Sequence, residues 1–201
     1  MDYLILGFLT GLSLILAIGA QNIFVIEQGL KKQYIFLVCL ICSISDFLLI
    51  FLGIFLFQYL NSYFTPTVEL IFNILLLIFL LHFIWGKIKI KISETSFNID
   101  NKTSNLPSIL VKTLGFTFLN PHVYSDTVFF LGNFSKSLSQ LDKYYFGAGA
   151  ATSSFLFFFI LGYLSKYFSK YLKSVKVWKR INYLIILFMS ILALTVLMEI
   201  I

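Results

Sequence analysis

Six runs of mostly apolar residues, each near or above the length that crosses a bilayer, govern what this chain can fold into. A membrane-spanning helix needs about 20 such residues. The runs are Tyr3–Ile26, Tyr34–Phe57, Thr67–Trp85, Ser108–Phe134, Tyr144–Leu164 and Ile181–Ile201. The connections are short apart from Gly86–Pro107 and Ser165–Arg180, so no segment has room for a separate soluble domain. Hydrophobic residues make up 59% of the chain and charged ones 12%, about half the usual soluble share of roughly 25%. Lipid must solvate that surface. The first run resembles a signal peptide near Leu12–Ala20, but Asp2 stands where a basic region belongs and no basic residue precedes Lys31. It is therefore read as the first span.

The expected fold is an all-α integral membrane protein of six transmembrane helices, a single domain over 1–201. Its charges set an orientation. Loops one, three and five carry Lys31, Lys32, Lys87, Lys89, Lys91, Lys102, Lys166, Lys170, Lys173, Lys176, Lys179 and Arg180, while the opposite side holds Lys136 and Lys143. Basic loops stay cytoplasmic, so both termini are expected outside. The net charge of +6 suits an anionic cytoplasmic leaflet and leaves no nucleic-acid footprint. Ser165–Arg180, where basic and aromatic residues alternate, reads either as a helix lying in the interface or as a solvated linker.

Three spans per half make the second half enter from the opposite side, as in inverted-repeat transporters. The halves are about 1–86 and 108–201, joined by a cytoplasmic linker over 87–107. Helix one carries Gly19-Ala20-Gln21-Asn22 and helix four carries Leu119-Asn120-Pro121-His122, so both are expected to be interrupted.

Ionisable residues at bilayer depth are costly and usually face a partner or a watered cavity. Asp46 sits mid-span, on a helical stripe with Cys39, Ser43 and Gly53 that reads as a cavity wall. The plainer reading is a protonated carboxyl bonded to a neighbouring helix. Pro121 deprives the Thr117 carbonyl of its donor, which places Asn120, His122, Tyr124 and Asp126 beside freed backbone groups. That ensemble suits an ammonium, a guanidinium or a proton; an ordinary proline kink is the alternative. Gln21 and Asn22 offer amides for substrate or for helix association. Glu27 reads as a solvated cap near the cytoplasmic end, or as a residue that recruits cations at the entrance, and His82 as interfacial. Gly147–Ser154, with Gly7 and Gly11, forms a small-residue face for close packing or sliding. Cys39 and Cys42 read as packing residues, or as a soft-metal pair joined by Asp46. No P-loop, zincin, nucleophile-elbow or dinucleotide motif is present, so no enzyme is expected.

At these residues the chain resembles the lysine/arginine exporter family, of the LysE/ArgO type. The matching stretches are Gly19-Ala20-Gln21-Asn22 through Val25-Ile26, Gln28-Gly29-Leu30-Lys31-Lys32, Ile44-Ser45-Asp46, Leu119-Asn120-Pro121-His122-Val123-Tyr124 with Asp126-Thr127, Val177-Trp178 and Ile181-Asn182. The resemblance covers nearly the whole length. It implies secondary export of arginine, lysine or both from the bacterial cytoplasm across the inner membrane. Gln21, Asn22, Asp46, Asn120, Pro121 and Asp126 fall on the family's motifs. With Tyr124 they form the expected substrate site, and Asp46 and Asp126 the expected proton-coupling pair. The family usually has proline where Ala20 stands, which implies a softer break in helix one. The expected partners are a basic amino acid, protons and lipid, with a homo-oligomer as a possible assembly; no cofactor and no resident metal are implied. The alternatives are export of another small amino acid, export of a metal cation such as cadmium, and a non-transporting scaffold.

Overall fold

The computed structural model describes residues 2–16, 19–63, 65–89, 105–170 and 175–200. Among them every regular element is helical. In chain order these are α1 Asp2–Ile15, α2 Ala20–Lys31, α3 Ile35–Tyr63, α4 Pro66–Ile88 and α5 Leu106–Phe118. A single turn α6 Pro121–Tyr124, a π-helical turn Ser125–Phe130, α7 Leu131–Ser135, α8 Gln140–Ser169 and α9 Val175–Ile200 complete the series.

Among the described residues four stretches are long and apolar enough to cross a membrane: Ile35–Phe57, Pro66–Ile88, Gln140–Ser169 and Lys179–Met198. The pair α1 and α2, bent by 83°, makes a fifth if counted as one broken span. The fourth apolar run is divided: α5 is a shorter apolar helix, and the chain restarts after Asn120. Both runs expected to be interrupted are interrupted.

The breaks have local causes. Gly19 stands before α2 in an extended conformation (φ −109°, ψ −179°), and the Ile23 N–H reaches its carbonyl at 3.2 Å. Ala20, expected to soften this break, lies directly after it. It occupies the first helical position, where a backbone N–H has no intrahelical acceptor, so an amide there cannot mend the ladder. At the second break the Leu119 N–H still closes α5 onto Gly115, and Pro121 then opens α6 where a missing donor costs nothing.

Close helix crossings set the packing. α1 and α2 lie on α8, while α5, the π-helical turn and α7 lie on α3; α3 also meets α8, and α4 meets α9. Where α1 crosses α8, a side chain at Gly149 would run into the Leu4 carbonyl and stand 2.8 Å from the Phe8 amide nitrogen. Where α3 crosses the π-helical turn, Gly53 lies against the Val128 backbone. The small-residue face of α8 is thus a packing surface. The faces left outward are rich in Leu, Ile and Phe, including Ile78, Trp85, Ile160, Leu194 and Met198.

Two expectations change. Ser165–Arg180, expected as an interfacial helix or a solvated linker, is divided: Ser165–Ser169 ends α8, Val175–Arg180 begins α9, and 171–174 lie outside the described residues. Most of the expected linker 87–107 lies outside them too, over 90–104, whereas Lys87 and Ile88 belong to α4.

Candidate functional site

The two breaks face one cavity of about 430 Å³, within the ordinary range for small-molecule sites of roughly 300–1,000 Å³. At the first break the Asn22 amide donates to the Ile15 carbonyl at 3.1 Å, satisfying an acceptor left by the end of α1. No side chain caps Gly19, and Ala20, Gln21 and Asn22 all line the cavity. The Gln21 Nε2 is buried without a hydrogen-bond partner.

At the second break the Asn120 side chain accepts from the His122 N–H at 3.1 Å and so starts α6. The Tyr124 hydroxyl donates to the Phe118 carbonyl at 2.9 Å, bridging the gap. The following π-helical turn carries Asp126 and Thr127, which with Asn120 and His122 line the cavity. Such turns widen the backbone helix and recur at functional sites.

The third wall comes from α3 and α8. Asp46 is buried, and its Oδ2 accepts from the Ser154 hydroxyl at 2.7 Å. Ser153 and Ser154 line the cavity beside it. α4 adds Leu76 and Leu80, and α9 adds Leu192, Thr195 and Val196. Among the described residues the lining holds two carboxylates, Asp46 and Asp126, the imidazole of His122, and no Lys or Arg.

Of the expected substrate residues, the structure brings Gln21, Asn22, Asp46, Asn120 and Asp126 onto one cavity. Tyr124 is not part of its lining: its hydroxyl bonds the broken backbone, while Pro121 sets the break. Sequence reasoning did not single out Ser154 as the partner of Asp46, nor Thr195 as a wall residue. The available signal for Ser154 was a small-residue face that ends in consecutive hydroxyls, Thr152-Ser153-Ser154.

The stripe Cys39, Ser43, Asp46 and Gly53 is buried throughout, yet only Asp46 reaches the cavity. The Cys39 thiol donates to the Phe158 carbonyl at 3.2 Å. Among the described residues no three His, Cys, Asp or Glu side chains converge to hold a metal ion.

The solvated-cap reading of Glu27 is overturned. The residue is 2% exposed rather than solvated, and one of its oxygens, Oε1, accepts from both Lys31 and Lys87. Lys87, expected in a cytoplasmic loop, is buried on α4 as the other side of that pair. An isolated charge cannot be buried there cheaply, so each fixes the other in place.

Membrane-length helices, two broken helices and a cavity at their breaks describe a multi-pass membrane protein with an internal site. The model of the LysE-type translocators matches residues 12–200. The chain belongs to that family. The arginine exporter protein ArgO of Pectobacterium atrosepticum is 33% identical over 184 residues, covering 89% of this chain and 88% of the relative. The arginine exporters of Salmonella paratyphi C and Salmonella typhimurium are each 33% identical over 189 residues, covering 92% of this chain and 88% of theirs. No solved structure matches.

Proposed function

We propose that this protein exports basic L-amino acids, arginine, lysine or both, from the cytoplasm through the bacterial inner membrane. The observation that carries the reading is a cavity walled by Asp46 and Asp126 in which, among the described residues, no Lys or Arg side chain neutralises them. Two carboxylates answer the two cationic groups of such a substrate, with charge-assisted hydrogen bonds. The α-carboxylate has its own counterpart in the uncapped start of α2 at Gly19, where the positive end of the helix dipole and the unpartnered Gln21 amide favour an anion. The arginine exporters among the relatives support the same substrate class.

The mechanism is alternating access by two inverted repeats, about 1–86 and 108–201. Each half follows one order: a broken helix, then two long ones. The packing supports this, since each half's broken helix lies on the other half's first long helix, α8 or α3. Two further pairs, α3 with α8 and α4 with α9, join equivalent helices. Six spans then cross the membrane, with the basic loops and the 87–107 linker cytoplasmic and both termini outside.

Exporting a monocation against an inside-negative potential costs about 2.3 kcal/mol per 100 mV. Proton antiport meets that cost: Asp46 and Asp126 hold either the substrate's cationic groups or protons, and one proton in for one monocation out is electrically silent. Lipid is the solvent of the outward faces, and a homo-oligomer is compatible with them.

Efflux from proteoliposomes loaded in turn with arginine, lysine, a neutral amino acid and cadmium, with and without a pH gradient, tests the reading. Arginine or lysine should move and the gradient should accelerate them. Flux confined to neutral amino acids or cadmium, or no flux at all, overturns it.

A further inference from the structure

Along α2 and α4 the side chains form three layers. Gln21, Asn22, Leu76 and Leu80 bound the cavity. Next come three buried rings, Phe24 of α2, Phe83 of α4 and Phe116 of α5. Phe116 lies 5.1 Å from Phe24 and 5.0 Å from Phe83, centroid to centroid, the latter edge-on. Beyond the rings lie Glu27 and Lys87, with the Lys87 ammonium 5.2 Å over the Phe83 ring. Seven residues of helix, about 10 Å at 1.5 Å per residue, separate Leu80 from Lys87. The Asn182 amide of α9 donates to the Lys87 carbonyl at 3.4 Å, so α9 closes the same end. The cavity's exposed wall residue Thr195 is thirteen residues further along α9, about 20 Å away.

The three rings thus stand between the cavity and a carboxylate at the basic-loop end. Glu27 spends one oxygen on two ammonium groups, while its other, Oε2, is buried with no hydrogen-bond partner. A buried carboxylate oxygen left in that state favours a further donor. We propose that Glu27 is a loading site for an organic cation, an ammonium or guanidinium, on the basic-loop side, where the incoming cation takes the place of Lys87 and so releases the Phe24–Phe83–Phe116 plug. Lys87 thus acts as the tethered stand-in that keeps the passage shut when no cation is present. The inference rests on the export reading for its direction, cytoplasm to cavity, but its closure does not depend on which substrate is carried.

The test reads closure and not flux. In a protein carrying Cys39→Ala, Cys42→Ala and Thr195→Cys, a membrane-impermeant thiol reagent is applied to inside-out vesicles, so that it meets only the basic-loop face. With Glu27 and Lys87 intact, labelling should be slow, and arginine on that face should speed it. Glu27→Gln should raise the rate at least about tenfold, since it leaves the buried Lys87 ammonium without its carboxylate, a state relieved by opening to water, and Lys87→Met should raise it likewise by removing the tethered cation, although Glu27 keeps Lys31. The exchange Glu27→Lys with Lys87→Glu should restore slow labelling, which separates a lost gate from a damaged fold. Rates unchanged by either single substitution, or equally fast in the exchanged protein, overturn the gate. Arginine without effect on the intact pair overturns Glu27 as a cation site. Because labelling needs no transport, loss of basic amino-acid flux in proteoliposomes would sink the export reading and leave these outcomes readable.

Discussion

The Ser154 hydroxyl donates to Asp46 Oδ2 at 2.7 Å, joining α8 to α3 across 108 positions of sequence. The bond ties together the two long helices on which the broken helices of the opposite halves rest. It also orients a carboxylate that is 5% exposed toward the cavity rather than toward lipid. A side chain so fixed, with its second oxygen available, is arranged to receive a cation.

Asp46→Asn keeps the volume and an acceptor for Ser154 but removes the charge. A hydrogen bond to a charged group contributes about 1.5–3 kcal/mol, so arginine affinity should fall roughly 10- to 150-fold. Ser154→Ala removes only a neutral donor and should cost about 1 kcal/mol, roughly fivefold. Calorimetric titration of both variants in detergent measures the order, and Asp46→Asn binding arginine at full strength would remove Asp46 from the site.

The helices and the positions of both breaks were legible in the sequence, because hydrophobic run length, Gly19 and Asn120-Pro121 act locally. Asp46 and Asp126 stood out for the same reason: a charge inside an apolar run needs no neighbour to be conspicuous. Glu27 was misread because its meaning lies in Lys87, 60 positions away, and each alone looks like a charge at the edge of a span. The π-helical turn that carries Asp126 leaves no compositional mark, and Tyr124 closes on Phe118 only once the backbone has broken. Local chemistry was readable; pairings made by the fold were not.

Proton antiport makes a directional prediction. With one proton exchanged per monocation, arginine should run toward the acidic compartment. Each pH unit should balance about a tenfold substrate gradient, since 1.4 kcal/mol is a factor of ten. Asp126→Asn, which removes one of the two exchanging carboxyls from the cavity wall, should abolish this dependence. Flux measured at several imposed gradients checks it, and arginine indifferent to them would exclude proton coupling.

Two glycine substitutions should act in opposite directions. Gly149→Ala sets a methyl against the backbone of Leu4 and Phe8, so α1 must withdraw from α8, and overpacking of this kind typically costs about 1–3 kcal/mol. Gly86→Ala meets nothing within 4 Å and lies in the last turns of α4, where alanine is favoured by up to about 1 kcal/mol. Thermal unfolding in one detergent should therefore rank Gly149→Ala below the parent and Gly86→Ala at or above it.

Cys39→Ala with Cys42→Ala distinguishes an amino-acid exporter from a carrier of soft metals. Both thiols are buried; Cys39 is spent on the Phe158 carbonyl, and neither sulfur lines the cavity. The double variant should lose stability by about 1–3 kcal/mol, through one lost bond and the space left behind, while arginine transport persists. Abolished arginine flux in a protein that still folds would give the thiols a role that this cavity does not.

Ala20→Pro should be accepted, although a proline inside a membrane helix ordinarily disrupts it. Ala20 is the first residue of α2, and the first intrahelical bond there runs from Ile23 to Gly19, so no hydrogen bond is lost at position 20. Gly19 already has the extended backbone that a following proline requires. Ring closure also narrows the unfolded ensemble, which at a compatible position stabilises by about 0.4–1 kcal/mol. The variant should unfold at or slightly above the parent temperature and retain arginine efflux. A marked loss of both would mean that the 83° bend between α1 and α2 straightens during the transport cycle, with α2 then drawing on the Ala20 amide.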